Sequence, residues 1–296
     1  MGSLLESLSR GPPYSRCDPI GRPRGGLYLF WRDRPTTSND EGASCTSKPN
    51  DSNGSHLEFG IAPITFAHRG ARLEARENSL SAFARALEFG ASGLESDVRL
   101  SADGTPVLAH DATFRRGLRR YRVDQLTPAE LADLEVPTVA ALFDTCGSAF
   151  DLSLDLKVPQ AARATLDVVR AVGAIDRLWC CSPDMRVLFA LRESDPDVHL
   201  VHSSRKRELA APIERHAARL AEAGIAVMNM HHTDWTAGIV SLFHRFSVRA
   251  FAWDVQEVRN IREMVRIGID GLYCDRPDRL VSAVAEFAEA GTDTPI

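Results

Sequence analysis

The sequence predicts an α/β protein folded as a closed parallel barrel of the TIM (β/α)8 kind, with a β-hairpin after the second strand. Three observations carry this. Eight short apolar or β-branched runs recur between residues 64 and 274, and amphipathic stretches with apolar residues at i, i+3 and i+4 separate most of them. The repeat fills roughly 230 residues, more βα steps than an open doubly wound sheet normally holds. No glycine-rich G-x-G-x-x-G or Walker-type loop follows any run, which disfavours a nucleotide-binding sheet.

Residues 1–60 stand apart. The stretch from Arg32 to His56 is almost entirely Ser, Thr, Asn, Asp, Gly, Pro and charge, with no period that could bury a face, and reads as a disordered N-terminal extension. Residues 61–290 form the barrel, and 291–296 a C-terminal tail. The strands are expected at 64–68, 93–98, 151–157, 178–181, 198–202, 225–229, 248–253 and 271–274. Helices are expected at 79–89, 160–172, 185–193, 207–223, 235–246, 258–267 and 277–288. After the second strand the rhythm breaks. Asp103-Gly104 predicts a two-residue type I′ hairpin that places Asp97 opposite His110, with Glu95 on the same face as Asp97. Two short helices follow, 127–131 and 138–143, with Thr127 and Thr138 as N-caps.

Composition limits the partners. Thirty-five basic and forty acidic residues leave a net charge of −5, which argues against a nucleic-acid partner. No run approaches the roughly 18–20 apolar residues that span a bilayer, and the start of the chain lacks a secretory pattern, so an unsecreted, cytoplasmic protein without stable membrane insertion is expected. The six cysteines show no C-x-x-C pair; neither a zinc site nor a disulfide framework is indicated, and Cys180, Cys181 and Cys274 read as small core residues. The run Arg115, Arg116, Arg119, Arg120, Arg122 reads as a solvated face, with attraction of an anionic or membrane-derived substrate as the other reading.

Reactive side chains of a parallel barrel gather at the C-terminal ends of its strands. Those ends carry His68-Arg69, Glu95-Ser96-Asp97, His110-Asp111, Asp155-Leu156-Lys157 and Trp253-Asp254. Glu95, Asp97 and Asp155 together would repel one another without a cation. Oxygen-only donors favour Mg²⁺ or Ca²⁺, with a Zn²⁺ site on His68 and His110 as the weaker alternative. Arg69 and Lys157 beside such an ion suit a phosphate anion, and two histidines can supply a base and an acid near neutral pH. The combination reads as phosphodiester cleavage. His199, His202, His231 and His232 read as structural, although His231-His232 follows a strand and could line the pocket.

The ordered set His68-Arg69-Gly70, Glu77-Asn78-Ser79, Glu95-Ser96-Asp97-Val98, Asp103-Gly104, His110-Asp111, Leu126-Thr127, Pro137-Thr138, Asp155-Leu156-Lys157, Trp253 and Gly271 to Pro277 resembles the glycerophosphodiester phosphodiesterases. The resemblance runs from Ile64 to Leu280. It implies a TIM barrel of the phosphatidylinositol-phospholipase-C-like superfamily and a divalent metal. It also implies hydrolysis of a small-molecule glycerophosphodiester to sn-glycerol 3-phosphate and an alcohol, within lipid and glycerol metabolism. It assigns His68 and His110 as the acid/base pair, Glu95, Asp97 and Asp155 as metal ligands, and Arg69, Lys157, Glu77 and Trp253 as substrate-binding residues. Asp155 stands where the family usually has glutamate, and Asp254 and Gln256 depart from its W-T-V-N pattern. Aspartate followed two residues later by lysine also resembles the sphingomyelinase-D-like branch, so a phospholipase-D-like lyase on lysophospholipids is the alternative. A catalytically weak phosphoester-binding barrel is the third reading.

Overall fold

A computed structural model of the chain describes residues 62–292. The expected disordered extension, with Cys17 and Cys45, lies outside the described residues. Eight parallel strands close into a barrel: β1 (Ile64–His68), β2 (Gly93–Leu100), β6 (Asp151–Leu156), β7 (Leu178–Ser182), β8 (His199–Ser203), β9 (Val227–His231), β10 (Arg249–Trp253) and β11 (Gly271–Cys274). Neighbours run in chain order around the ring, and β1 pairs with both β11 and β2, which removes every free edge. Helices α1 (Leu80–Glu88), α4 (Ala161–Ala171), α5 (Met185–Ser194), α6 (Ile213–Glu222), α7 (Ala237–Arg245), α8 (Val258–Arg266) and α9 (Pro277–Thr292) alternate with these strands. α9 therefore continues two residues into the stretch read as a tail. No helix among the described residues is long and apolar enough to cross a membrane.

Two cores result from the period-two alternation of the strands. Phe66, Trp179, Cys181, Val201, Val227, Phe251 and Tyr273 point inward and fill the barrel. A larger shell, including Leu94, Leu152, Leu200, Met228 and Leu272, packs outward against the helices. Two glycines make room for the inner rings. A Cβ on Gly93 would lie 2.6 Å from the Phe66 ring, and one on Gly271 2.7 Å from the Phe251 ring. The same alternation turns His68, Glu95, Asp97, Asp155, His231 and Trp253 inward near the C-terminal mouth. Cys180, Cys181 and Cys274 are buried and free, as expected of core residues.

The hairpin differs from expectation. β3 (Pro106–Leu108) pairs Val98 with Leu108 and Arg99 with Val107, so a three-residue loop, Ala102 to Gly104, joins the strands. A type I′ turn needs positive φ at both central residues, but only Gly104 adopts it, at +85°. The Asp103 carboxylate instead accepts from the Ser101 hydroxyl (2.6 Å) and the Thr105 N–H (3.1 Å), which fixes the wider turn. The register shifts by one, and the Ala109 N–H donates to the Asp97 carbonyl (2.8 Å). His110 lies one step further and is not opposite Asp97.

The helix expected at 207–223 is also shorter. A single 3-10 turn occupies Lys206–Glu208, and α6 starts only after Pro212, which lacks the N–H a continuous helix would need. The connection back to β6 carries an antiparallel pair, β4 (Thr113–Arg116) and β5 (Arg119–Arg122), then α2 (Pro128–Asp133) and α3 (Val139–Cys146). Thr127 and Thr138 cap α2 and α3, accepting from the N–H of Glu130 and Ala141. A small satellite core of Val107, Ala109, Val123, Leu131 and Val136 seats this insert.

Candidate active site

The site is assembled at the β1 end first. Arg69 and Gly70 take left-handed φ of +57° and +79°, turning the chain sharply off β1. A Cβ on Gly70 would lie 2.7 Å from the Ala82 backbone of α1, so the turn requires glycine for both conformation and space. This turn aims the Arg69 N–H at Glu95, whose carbonyl and Oε2 both accept at 3.0 Å. His68 and Glu95 are register partners, and His68 Nε2 stands 3.8 Å from Glu95 Oε2. On its other side, the His68 Nδ1–H donates to Asp275 at 2.6 Å.

Glu95 and Asp97 are buried, 8% and 2% exposed. Burial pushes the Glu95 carboxyl up to about 7; His68 pulls it down, while the charges of Asp97 and Asp155 add to the rise. Burial also disfavours the charged His68 ring, yet the Glu95 and Asp275 carboxylates outweigh it and its pKa is raised. Asp275 is held below the usual carboxylate range: burial opposes this, but the His68 hydrogen bond prevails.

Asp97 and Asp155 are register partners on β2 and β6, and Lys157 joins them, its ammonium 3.0 Å from Asp97 Oδ1 and 2.6 Å from Asp155 Oδ2. Burial works against the Lys157 charge, but both aspartates raise its pKa and keep it cationic. Arg69 Nε lies 3.3 Å from Asp97 Oδ2 as an ion-pair contact, buried without a hydrogen bond of its own. Its guanidinium also meets Glu77 (3.2 Å), and Glu77 takes Arg72 at 2.7 Å.

Neither His110 nor Trp253 makes a side-chain hydrogen bond or ion pair to this cluster. His110 Nδ1 pairs with Asp111 at 2.9 Å, and the His110 carbonyl accepts both Nε and Nη2 of Arg99. Trp253 stands on β10, its ring edge-to-face with His231 (centroids 4.6 Å apart), with the Arg205 guanidinium 5.7 Å from its centroid. His231 and Trp253 are register partners, and His231 Nε2 faces Asp254 Oδ2 at 3.2 Å. Among the described residues, His231, His232 and Asp254 are the group whose ligand atoms all lie within 4.8 Å of one another. Glu95, Asp97 and Asp155 are instead knitted together through Lys157, Arg69 and His68.

Two residues stand in the quoted motifs without a role assigned from the sequence. Asn78, buried with φ +58°, donates to Asp97 (3.3 Å) and accepts from the Ser96 hydroxyl (2.7 Å), tying the α1 entry to β2. Asp275, directly after β11, holds His68. Its position at the end of an apolar strand was the available signal, the same one that marked Asp97 and Asp155.

A family model described as the glycerophosphoryl diester phosphodiesterase family matches residues 68–279. The curated glycerophosphodiester phosphodiesterase of Caldanaerobacter subterraneus subsp. tengcongensis is 24% identical over 243 residues, covering 75% of this chain and 97% of that protein. The solved glycerophosphodiester phosphodiesterase of Thermotoga maritima shares the fold with a TM-score of 0.67 at 24% identity, over 75% of this chain and 99% of that one. An Oleispira antarctica phosphodiesterase, solved in complex with the product sn-glycerol-3-phosphate, gives 0.66 at 22% identity, over 76% and 97%. A match that begins at the histidine ending the first strand and takes in every strand beyond it settles the assignment: the chain belongs to the glycerophosphoryl diester phosphodiesterase family and is a phosphoric diester hydrolase.

Proposed function

We propose that the protein cleaves glycerophosphodiesters to sn-glycerol 3-phosphate and an alcohol, with His68 as base, His110 as acid, and Mg²⁺ or Ca²⁺ held by Glu95, Asp97 and Asp155. The carrying observation is the matched setting of the two imidazoles. Each has Nδ1 on a carboxylate, His68 on Asp275 at 2.6 Å and His110 on Asp111 at 2.9 Å. That contact fixes the tautomer and leaves Nε2 for proton transfer. His68 Nε2 takes the proton of a water whose oxygen bonds to phosphorus as the P–O bond to the alcohol breaks; if the glycerol 2-hydroxyl attacks instead, a cyclic phosphate forms and a water then opens it to glycerol 3-phosphate. Asp275 stabilises the imidazolium that forms. His110 Nε2 gives a proton to the departing alcohol oxygen. The product sn-glycerol-3-phosphate in complex with the Oleispira antarctica neighbour supports the substrate class.

The donor set fits a hard divalent ion. It offers oxygen atoms only, from adjacent strands, and the mutual repulsion that helps raise Glu95 is what an added cation relieves. Such an ion supplies stabilisation of negative charge developing on the phosphoryl oxygens. In this reading Arg69 and Lys157, which now pair with Asp97 and Asp155, bind the phosphate. Trp253 and Glu77 are assigned to the glycerol or head group.

The test is a chelation and metal-rescue assay over a panel of glycerophosphodiesters, with glycerol 3-phosphate detected enzymatically. Activity lost with chelator and restored by Mg²⁺ or Ca²⁺, and lowered at least roughly 10²-fold in His68→Ala and His110→Ala, is expected. Undiminished turnover by His110→Ala with metal bound removes it from the mechanism. A persistent cyclic phosphate by phosphorus NMR assigns the lyase instead.

A further inference from the structure

The β4–β5 hairpin concentrates charge against the sign of the whole chain. Five arginines fall within residues 115–122 of a protein whose net charge is −5. All five are exposed. The register sets Arg115 opposite Arg120 and Arg116 opposite Arg119, and like charges directly opposed weaken a strand pair. Only part of this charge is used internally. Arg116 pairs with Glu135 (2.7 Å) and Arg122 with Asp124 (2.6 Å), whereas Arg120 meets only the neutral Thr113 hydroxyl. Arg115 and Arg119 have no carboxylate partner among the described residues.

The tip adds a second, different signal. Gly117, at φ +61°, opens a two-residue turn whose other member is Leu118, and that side chain is fully exposed. It is the most exposed large apolar residue among those described. The base of the arm is firm by contrast: Phe114 stacks on Tyr121 (centroids 5.7 Å), takes the Arg76 guanidinium at 5.4 Å, and packs on the satellite core. The Val123 N–H donates to the Ala112 carbonyl (3.0 Å), anchoring the hairpin beside His110-Asp111.

From this arrangement we propose that the hairpin is a docking arm for an anionic lipid surface: the arginines engage head-group phosphates, Leu118 enters the interface, and the loops bearing His110 are brought to the membrane. A polyphosphate such as nucleic acid would use the arginines but gives an apolar tip nothing to enter. Docking of this kind is peripheral and needs no membrane-spanning segment.

Vesicle co-sedimentation tests it on the full chain, independently of any substrate. Wild type is expected to bind phosphatidylcholine vesicles containing about one-third phosphatidylglycerol at about 0.05 M salt, to bind pure phosphatidylcholine much more weakly, and to release as salt rises to about 0.3 M. The triple variant R115E/R119E/R120E should lose at least about 100-fold in affinity, and L118S about 10-fold with an unchanged salt slope. Thermal midpoints within a few degrees of wild type identify variants that remain folded, and R115Q/R119Q/R120Q replaces the reversal if it does not fold. Absence of binding to anionic vesicles at low salt overturns the proposal. So does binding unaffected by the arginine substitutions, or binding of single-stranded DNA with none to vesicles.

Discussion

Asp275 illustrates how much a single side chain sets at this site. It holds His68 Nδ1 at 2.6 Å and thereby leaves Nε2 as the nitrogen that faces Glu95. Asp275→Asn keeps the size but removes the charge that favours imidazolium. It is expected to lower kcat roughly 10²-fold and, because His68 loses a raising influence, to move the acidic limb of kcat/KM to lower pH. A pH–rate profile of the variant checks both; a limb that stays in place excludes Asp275 as the His68 partner. Asn78 acts differently, through geometry. Removing its two buried hydrogen bonds in Asn78→Ala, with alanine at positive φ, should cost about 2–4 kcal/mol by denaturant unfolding.

Elements were legible in the sequence where hydrophobic periodicity alone defines them. All eight barrel strands overlap the apolar runs that predicted them. The sixth, expected at 225–229, lies at Val227–His231, and a shift of two leaves its inward and outward faces unchanged. That is why the layout of the mouth survived the error. Where a turn or proline governs, the sequence was misread. Asp103-Gly104 closed a longer loop because an aspartate that bonds its own backbone neighbours has no need of positive φ, and Pro212 divided one amphipathic run. Carboxylates ending apolar strands marked the candidate site well, while Asn78 was hidden because its role arises from a backbone conformation.

One interface of elements carries a pH dependence. His202 on β8 and His216 on α6 are buried, with 3.1 Å between His202 Nδ1 and His216 Nε2, and His202 Nε2 donates to the Pro183 carbonyl. Burial, then repulsion from His216, pushes His202 down to about 4, and burial lowers His216 too. The unfolded chain therefore binds these protons first on acidification. The contribution of His202 is expected to be fully present above about pH 6.5 and lost as pH falls toward 4, by about 3 kcal/mol. Glu95, raised to about 7, takes up a proton over the same range with the opposite sign, so the His202 contribution is read as a difference: between pH 7 and 4.5 the slope should differ by about one proton between wild type and His202→Leu in denaturant titrations.

For the whole molecule, a carboxylate-rich mouth predicts that divalent ions stabilise the fold. Mg²⁺ or Ca²⁺ at about 100 times its dissociation constant should add about 2.7 kcal/mol, and Asp97→Asn should abolish the gain. A thermal midpoint indifferent to both ions would count against Glu95, Asp97 and Asp155 as ligands.

The aromatic filling beneath the mouth, Phe66, Trp179, Phe251 and Tyr273, gives the catalytic chamber a solid floor. Among the described residues these rings fill the barrel below the carboxylates, which leaves the C-terminal mouth as the expected way in. If the mouth is the reaction site, product leaves by the path that fresh diester takes, and accumulated product is expected to slow turnover competitively, as initial rates with added glycerol 3-phosphate would show.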